Sequence, residues 1–302
     1  MKLVAIILTH NEELHLARCI RSVRQVTEHI VVADSNSTDS TKQVAKECGA
    51  RLINRDWINY ATQFNWALSQ LDSDTDWVLR IDADEILDEE LIAEINSRLA
   101  TLSTDIEGVY SNRFMVFQGQ LISHGGSFPH STLRLFRYGK GECENRWMDE
   151  HIKIAGPTIH FKGGLVDENL KSISVWIAKH NSYASREAVD LLNLEFDLFP
   201  EDSVANIKSR EEDTVKRWIK ENLYARLPGG LRTRMYFIYS YFFRLGFLDG
   251  KVGTTYHVLR VFWYRYLVDA KIEEVHRYMK TNQVSDPKIA VRDVLGIDLK
   301  TE

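Results

Sequence analysis

Cysteine is scarce in this chain of 302 residues: Cys19, Cys48 and Cys143 stand far apart, with no CxxC spacing. That excludes a disulfide framework, argues against a cysteine-built zinc site, and suits a reducing cytosol. An excess of one charge is also missing. Acidic residues number 43 against 38 basic, a formal charge of -5. Nothing so balanced carries the global footprint of a nucleic-acid binder, and nucleic acid is not expected as a partner. No uncharged apolar run reaches the roughly 18 residues of a bilayer span. The apolar stretch in MKLVAIILTHNEE is short, follows a single Lys2 and meets charge at once, so it reads as a strand and not as a secretory signal. Internal repeats and low-complexity tracts are absent.

What is present suffices for one substantial core, or for a core plus a smaller second lobe: 44% of residues are hydrophobic. The first hundred residues alternate strand and helix patterns. LVAIILT (3–9) is a branched, unbroken apolar run, as in a strand buried on both faces. NEELHLARCIRSV follows as a helix with Asn11 as its expected N-cap. HIVVADS (29–35), RLINRDW (51–57) and DWVLRIDA (76–83) read as further strands. Helices are expected at STDSTKQVAKECGA, near Tyr60–Leu71, and at DEELIAEINSRLA. This βα repetition implies a parallel sheet with helices on both faces. After Leu102 the pattern changes. GVYSNRFMVF, STLRLFRY and HIKIAG read as strands, 170–199 as helix, 200–213 as a polar linker, and the remainder as helical.

In open α/β sheets, ligands bind beyond the carboxyl ends of the strands. Thr9, His10 and Asn11 follow the first strand, Asp34 and Ser35 the second, Asp82 and Asp84 the fourth. An Asp-x-Asp pair in extended backbone presents both carboxylates on one side. Hard cations such as Mn²⁺ or Mg²⁺ take oxygen ligands and are often shared with substrate phosphates. Asp84, helped by Asp82, is therefore the candidate anchor for a metal holding a diphosphate. Glu85 reads as the beginning of the next helix. The bland alternative is that Asp simply collects where strands give way to helices.

Taken in order, LTHNEELHLARCIRSV, VVADSNSTDSTKQVAKECGA, NYATQFNWAL and WVLRIDADEIL resemble the successive blocks of family 2 glycosyltransferases. HGGSFPHSTLRLFRYGKG, WMDEHI and FRLGFLDGKVG resemble the branch that extends bacterial lipopolysaccharide core and other surface glycans. The resemblance implies an α/β GT-A fold, with a Rossmann-like, mainly parallel sheet for the nucleotide and a helical C-terminal extension. It places donor binding and catalysis in residues 1–168 and a helical, membrane- or acceptor-facing region in 169–302. It implies a nucleotide-sugar donor, UDP-linked foremost, a glycan or glycolipid acceptor, and Mn²⁺ or Mg²⁺ as cofactor. Thr9, Asn11 and Glu12 correspond to the first nucleotide-contacting loop, Asp34 to the acceptor for the base, and Gln63 and Asn65 to the helix facing nucleotide or phosphates. Asp82 corresponds to a ribose or metal contact and Asp84 to the metal ligand. Asn36 stands where many relatives have Gly, and Asn tolerates the left-handed backbone expected there.

Inverting transfer needs a base opposite the leaving group. NRWMDEHI (145–152) offers Asp149 and Glu150, and the resemblance favours Glu150 with Asp149 second. Trp147 suits a sugar face or the core. His124, Gly125 and Gly126 form a turn able to approach the donor sugar, or an ordinary hairpin turn. Arg134 and Arg137 rank low as phosphate contacts, and His160 and His180 read as structural before catalytic. The aromatic, basic stretches RTRMYFIYSYFFRLGFL (232–248) and TTYHVLRVFWYRYLV (254–268) read either as an inward-packed helical subdomain or as a helix pair in the membrane interface. The expected setting is the cytoplasm, with peripheral association on the inner membrane in the second case. Two other classes compete: a haloacid-dehalogenase-like phosphohydrolase, which also carries Asp-x-Asp at a strand end, and a non-catalytic nucleotide-sugar-binding protein. The phosphohydrolase motif follows the first strand and continues into Thr or Ser; here the pair follows the fourth and continues into Glu85-Ile86.

Overall fold

The computed structural model describes residues 1–126, 129–144, 151–199 and 230–299. Four strands build a parallel half-sheet: β1 (Leu3–Thr9), β2 (His29–Asp34), β3 (Arg51–Asn54) and β4 (Trp77–Asp82). Three helices lie between them: α1 (Leu16–Val23), α2 (Thr41–Glu47) and α3 (Tyr60–Ser69). Period-two alternation sorts the side chains of β1 without exception. Leu3, Ala5 and Ile7 join the core under α1 and α4 (Glu89–Arg98), together with Trp77, Leu79 and Ile81 of β4. Val4, Ile6 and Leu8 join the other core, with Ala61, Phe64 and Ala67 of α3. Each Val, Leu or Ile so buried contributes about 1.5–3 kcal/mol.

The sheet is mixed, and the expectation of a mainly parallel one holds only for its first half. The order is β3-β2-β1-β4, then β8 (His130–Arg137), β6 (Gly108–Phe117), β11 (Thr158–Glu168) and β5 (Glu85–Leu87), with β7 (Gln120–Leu121) paired to β6. After β4 the chain turns at once into β5 and α4, then runs through β6, β7 and β8. Strand β8 inserts antiparallel between β4 and β6. The chain reverses once, at the tight turn Gln118–Gly119 between β6 and β7, and β8 keeps the direction of β7, so both run antiparallel to β6. A small second sheet pairs β9 (Gly141–Cys143) with β10 (Ile152–Ile154).

Strand β11 (Thr158–Glu168) was not expected from the sequence, yet it binds β6 in parallel and β5 antiparallel. Its two central glycines explain both its disguise and its place. A Cβ on Gly163 would stand 2.0 Å from the Leu91 backbone nitrogen, and one on Gly164 would stand 2.4 Å from the Asn112 carbonyl oxygen. The strand register shifts between His160 and Gly164. Two further expectations change locally. Asn11 does not cap α1; it takes a left-handed backbone at φ 56° and α1 begins at Leu16. Glu85 opens β5, not a helix, and is 0% exposed. The helix after it is capped by Asp88, which accepts from the Leu91 N–H at 2.7 Å.

The C-terminal region begins with α5 (Ile173–Phe196), capped by Ser172. It packs against the helices Tyr264–Thr281 and Pro287–Leu295 through Val189, Leu192, Val275, Ala290 and Val291. No helix among the described residues is long and apolar enough to cross a membrane.

Candidate active site

The loops after β1 and β2 are laced together by the residues that looked like caps. Asn11 donates its backbone N–H to Ser37 Oγ at 2.8 Å and accepts from the Thr38 N–H at 2.8 Å through Oδ1. Glu12 N–H donates to Thr41 Oγ1 at 2.7 Å, and Glu13 accepts from the Ser40 N–H at 2.9 Å. Asp34, 0% exposed at the tip of β2, accepts from Thr9 Oγ1 at 3.1 Å, from the Ser37 N–H at 2.8 Å and from the Ser37 hydroxyl, with Lys42 Nζ 3.7 Å away. Thr9, Asn11 and Asp34 are thus brought together at one sheet edge, where Asp34 shapes the loop from beneath.

Glu12 faces the C-terminal region. Its Oε2 accepts from His15 Nδ1 at 2.5 Å, and its Oε1 meets Lys171 Nζ at 2.8 Å. The Leu170 N–H donates to His15 Nε2 at 2.8 Å, so the connection from β11 to α5 is tied onto the β1 loop. Gln63 lies beneath Asp34, with Nε2 3.5 Å from the Asp34 carbonyl oxygen and Oε1 without a partner among the described residues. Asn65 is turned elsewhere: it donates to the Cys143 carbonyl at 2.9 Å and accepts from the Cys143 N–H at 2.8 Å, bridging α3 to β9.

Asp82 and Asp84 diverge. Period two puts Val78, Arg80 and Asp82 on the α3 side of β4, so Asp82 reaches Tyr60, whose hydroxyl donates to Oδ1 at 2.5 Å. Its Oδ2 accepts from Arg134 Nη2 at 2.9 Å. The strand ends at Asp82, and the turn that follows breaks the alternation, which is why the two carboxylates do not share a side. Asp84 instead faces α5, with Oδ2 3.6 Å from Lys179 Nζ and 3.5 Å from Asn169 Nδ2. Its main chain is clamped: Arg18 Nη2 and the Glu168 N–H both donate to the Asp84 carbonyl at 3.1 Å. Glu85 lies below both aspartates, 2.8 Å from Arg134 Nη2 and 2.9 Å from Arg113 Nε. Arg113 also pairs with Asp167.

Burial and cations set the charges of this cluster. Burial alone would raise Asp82, but Arg134 and Arg80 overcome it and hold the carboxyl well below the usual range. Asp84 is likewise lowered: desolvation pushes it up, but Lys179 together with Arg113 and His15 more than offsets that, and Asp84 in turn raises Lys179. For Glu85 burial wins over Arg134 and Arg113, and the carboxyl is raised. Asp167 is pushed up to about 7, by desolvation first, against the pull of Arg113. A carboxyl with a raised folded-state pKa binds more protons folded than unfolded, so its contribution to stability falls as pH rises from its ordinary 3.8 toward about 7. Asp167→Asn should therefore flatten the decline in Tm across that window. A pH series of thermal melts checks this, and unchanged slopes in the variant would contradict it.

Several of these residues carried no signal in the sequence. Arg18 lies on α1, Glu168, Asn169 and Lys171 at the end of β11 and its connection to α5, and Lys179 on α5. Only the polar run DENLKS (167–172), which closes β11 and leads into α5, hinted at a site. Arg134, ranked low as a strand arginine, is 5% exposed and serves two carboxylates. His124 pairs through Nδ1 with Asp249 Oδ1 at 2.6 Å. Gly125 and Gly126 have φ of 90° and 77°, and a Cβ on Gly125 would stand 2.1 Å from His257. The HGG turn and the FRLGFLDGKVG segment are thus one packed unit. His180 is held low, at about 4, by desolvation and stacks on Trp176, while His160 meets Ser131 Oγ at 3.1 Å. Arg137 lies over the Trp77 ring. Asp149, Glu150 and Trp147, and the 200–213 stretch, lie outside the described residues.

The acids at the ends of β1, β2 and β4 make an edge that can receive a polar, phosphate-bearing ligand, with Lys171, Lys179 and Arg18 beside them. Comparison with known proteins agrees with that geometry. Residues 4–156 match the model of glycosyl transferase family 2. An uncharacterized glycosyltransferase of Rickettsia prowazekii is 37% identical over 201 residues, covering 63% of this chain and 68% of that protein. The lipopolysaccharide core biosynthesis glycosyltransferase LpsC of Rhizobium meliloti is 31% identical over 202 residues, covering 62% of this chain and 71% of that protein. Among solved structures, glucosyl-3-phosphoglycerate synthase of Mycobacterium tuberculosis with Mn²⁺, UDP and glucosyl-3-phosphoglycerate overlaps 37% of this chain and 44% of that one. At 21% identity and a TM-score of 0.32, that likeness is too slight to transfer anything. With the family match spanning half of its length, the chain belongs to glycosyl transferase family 2 and is a glycosyltransferase, related to a bacterial enzyme of lipopolysaccharide core biosynthesis.

Proposed function

We propose that this enzyme moves a sugar from a nucleotide-sugar donor, UDP-linked foremost, to a lipopolysaccharide or other cell-surface glycan, with inversion and with Mn²⁺ or Mg²⁺. The observation that carries this reading is Asp84. It is a charged, mostly buried carboxylate at the end of β4, with Oδ1 unpartnered and Oδ2 only loosely engaged among the described residues. Asp82 lacks that freedom, since Arg134 and Tyr60 take its two oxygens. Among the described residues no group of three or more His, Cys, Asp or Glu side chains could hold a metal ion. The fit is therefore to a cation anchored by Asp84 and shared with the donor's phosphates, as hard cations often are. When bound, such a cation sets positive charge against the departing diphosphate.

The roles of the chain's own residues follow. Asp84 anchors the cation, while Asp82 holds the floor of the site and contacts ribose or cation only by giving up a partner. Thr9, Asn11, Glu12 and Gln63 line the nucleotide edge, Asp34 shapes it, and Asn65 fixes α3 against β9. Lys179, kept charged by Asp84, stands ready for a phosphate oxygen. Glu150, with Asp149 second, takes the proton of the acceptor hydroxyl as its oxygen bonds to the anomeric carbon and the bond to the diphosphate breaks. Residues 1–168 carry the donor site and 169–302 the helical region, although Lys171 and Lys179 reach across that boundary. The work is placed in the cytoplasm, where nucleotide sugars are made.

The test is UDP release from a panel of UDP-sugars with glycolipid acceptors, in Mn²⁺ and in excess EDTA. Acceptor-dependent release that collapses in EDTA is expected. Full turnover in EDTA would contradict the metal reading, and a product retaining the donor's anomeric configuration would contradict inversion.

A further inference from the structure

The segment from Leu231 to Phe243 is amphipathic the wrong way round for a helix in water. Its inward face is small and polar. Thr233 and Ser240 are both 0% exposed, Thr233 donating to Asp269 Oδ2 at 3.1 Å and Ser240 donating to the Gly125 carbonyl at 2.8 Å. Its outward face, at three- and four-residue spacing, carries Leu231, Met235, Ile238, Tyr239, Phe242 and Phe243. Phe243 is 74% exposed, and Phe242 and Met235 are each 55% exposed. Leu245, Phe247 and Leu248 extend the same bare surface. Soluble monomers rarely leave so many large apolar side chains contiguous, and such patches mark interaction sites.

Charge identifies the partner. Residues 231–268 hold six Lys or Arg against one Asp, in a chain whose net charge is -5. That Asp249 is consumed by His124, and Arg232 by Asp269. Arg234, Arg244 and Lys251 have no ion pair among the described residues and stand exposed beside the aromatic rings. We propose that this face seats the enzyme on an anionic lipid surface, with Phe242, Phe243 and their neighbours in the acyl boundary and the free cations at the headgroups. A second copy of the chain fits less well, because it would bring the same cations face to face. The proposal is independent of which glycan is the acceptor. It has a geometric consequence, however: Ser240, Arg244 and His257 grip the HGG turn, so seating this face fixes how the catalytic half stands over the membrane.

The experiment is co-sedimentation of the full chain with vesicles of phosphatidylcholine alone and of phosphatidylcholine with phosphatidylglycerol, at low and high salt. Wild type should pellet with the phosphatidylglycerol vesicles and lose most of that binding in high salt. The double variant Phe242→Ser/Phe243→Ser should bind roughly tenfold more weakly with an unchanged Tm, because both rings already stand in water. Arg234→Gln/Lys251→Gln should weaken binding only at low salt. Three results would overturn the proposal. One is wild type remaining in the supernatant with both vesicle types. Another is self-association, seen by sedimentation velocity, that Phe242→Ser/Phe243→Ser abolishes while lipid binding is nil. The third is a Tm drop of several degrees in that variant, which would mean that these rings are packed within the fold and not free to meet lipid.

Discussion

Arg134→Met should cost about 3–5 kcal/mol of stability, the usual consequence of removing one partner from a buried ionic group. One nitrogen, Nη2, lies 2.9 Å from Asp82 and 2.8 Å from Glu85, and the Glu85 side chain is wholly buried. Without the guanidinium, Glu85 keeps Arg113 and the Asp82 N–H, which donates to Oε2 at 3.0 Å, and Asp82 keeps Tyr60 and its more distant neighbours. Glu85, raised already by burial, would then take up a proton. Urea denaturation reads the loss as a lower midpoint at unchanged slope. Arg134→Lys should recover part of it, since a single nitrogen serves both carboxylates. Wild-type stability in the Met variant would show that the cluster does not support the fold.

Asp84→Asn should do the opposite: transfer falls about 10²–10³-fold, on the scale seen when one electrostatic contact to developing charge is removed. Stability should hardly move. The carboxylate's charged partner is a single Lys179 at 3.6 Å, and its main chain is held by Arg18 and Glu168 whatever the side chain is. Asp82→Asn supplies the contrast. It weakens contacts to Arg134 and Tyr60 and should lower Tm first, with activity following. If the two variants behaved alike in both assays, the separation of roles between the two aspartates would be wrong.

The parallel half of the sheet was legible because β1 and β2 are apolar runs buried on both faces, and β4 is one interrupted only by Arg80. Strand β11 was not, because His160, Lys162 and the Gly163-Gly164 pair dilute its pattern. Those glycines are there for contacts with Leu91 and Asn112 that no local rule reports. The acidic tips could be read because they follow strands. Their directions could not: alternation carries Asp82 toward α3, and the turn then sends Asp84 toward α5. Asn11 and Asp34 lie just past β1 and at the tip of β2, but neither caps a helix: Asn11 binds the loop after β2, and Asp34 accepts from Thr9 of β1. The cationic half of the site, Arg18, Arg134, Lys171 and Lys179, comes from four separate elements and becomes a group only once the chain is folded.

Calorimetric titration of a UDP-sugar into wild type and Asp84→Asn, each in Mn²⁺ and in EDTA, addresses the central claim directly. Wild type should bind at least tenfold more tightly in Mn²⁺, and Asp84→Asn should retain the EDTA affinity while losing that increment. An equal gain from Mn²⁺ in both proteins, or none in wild type, would contradict a donor site built around Asp84.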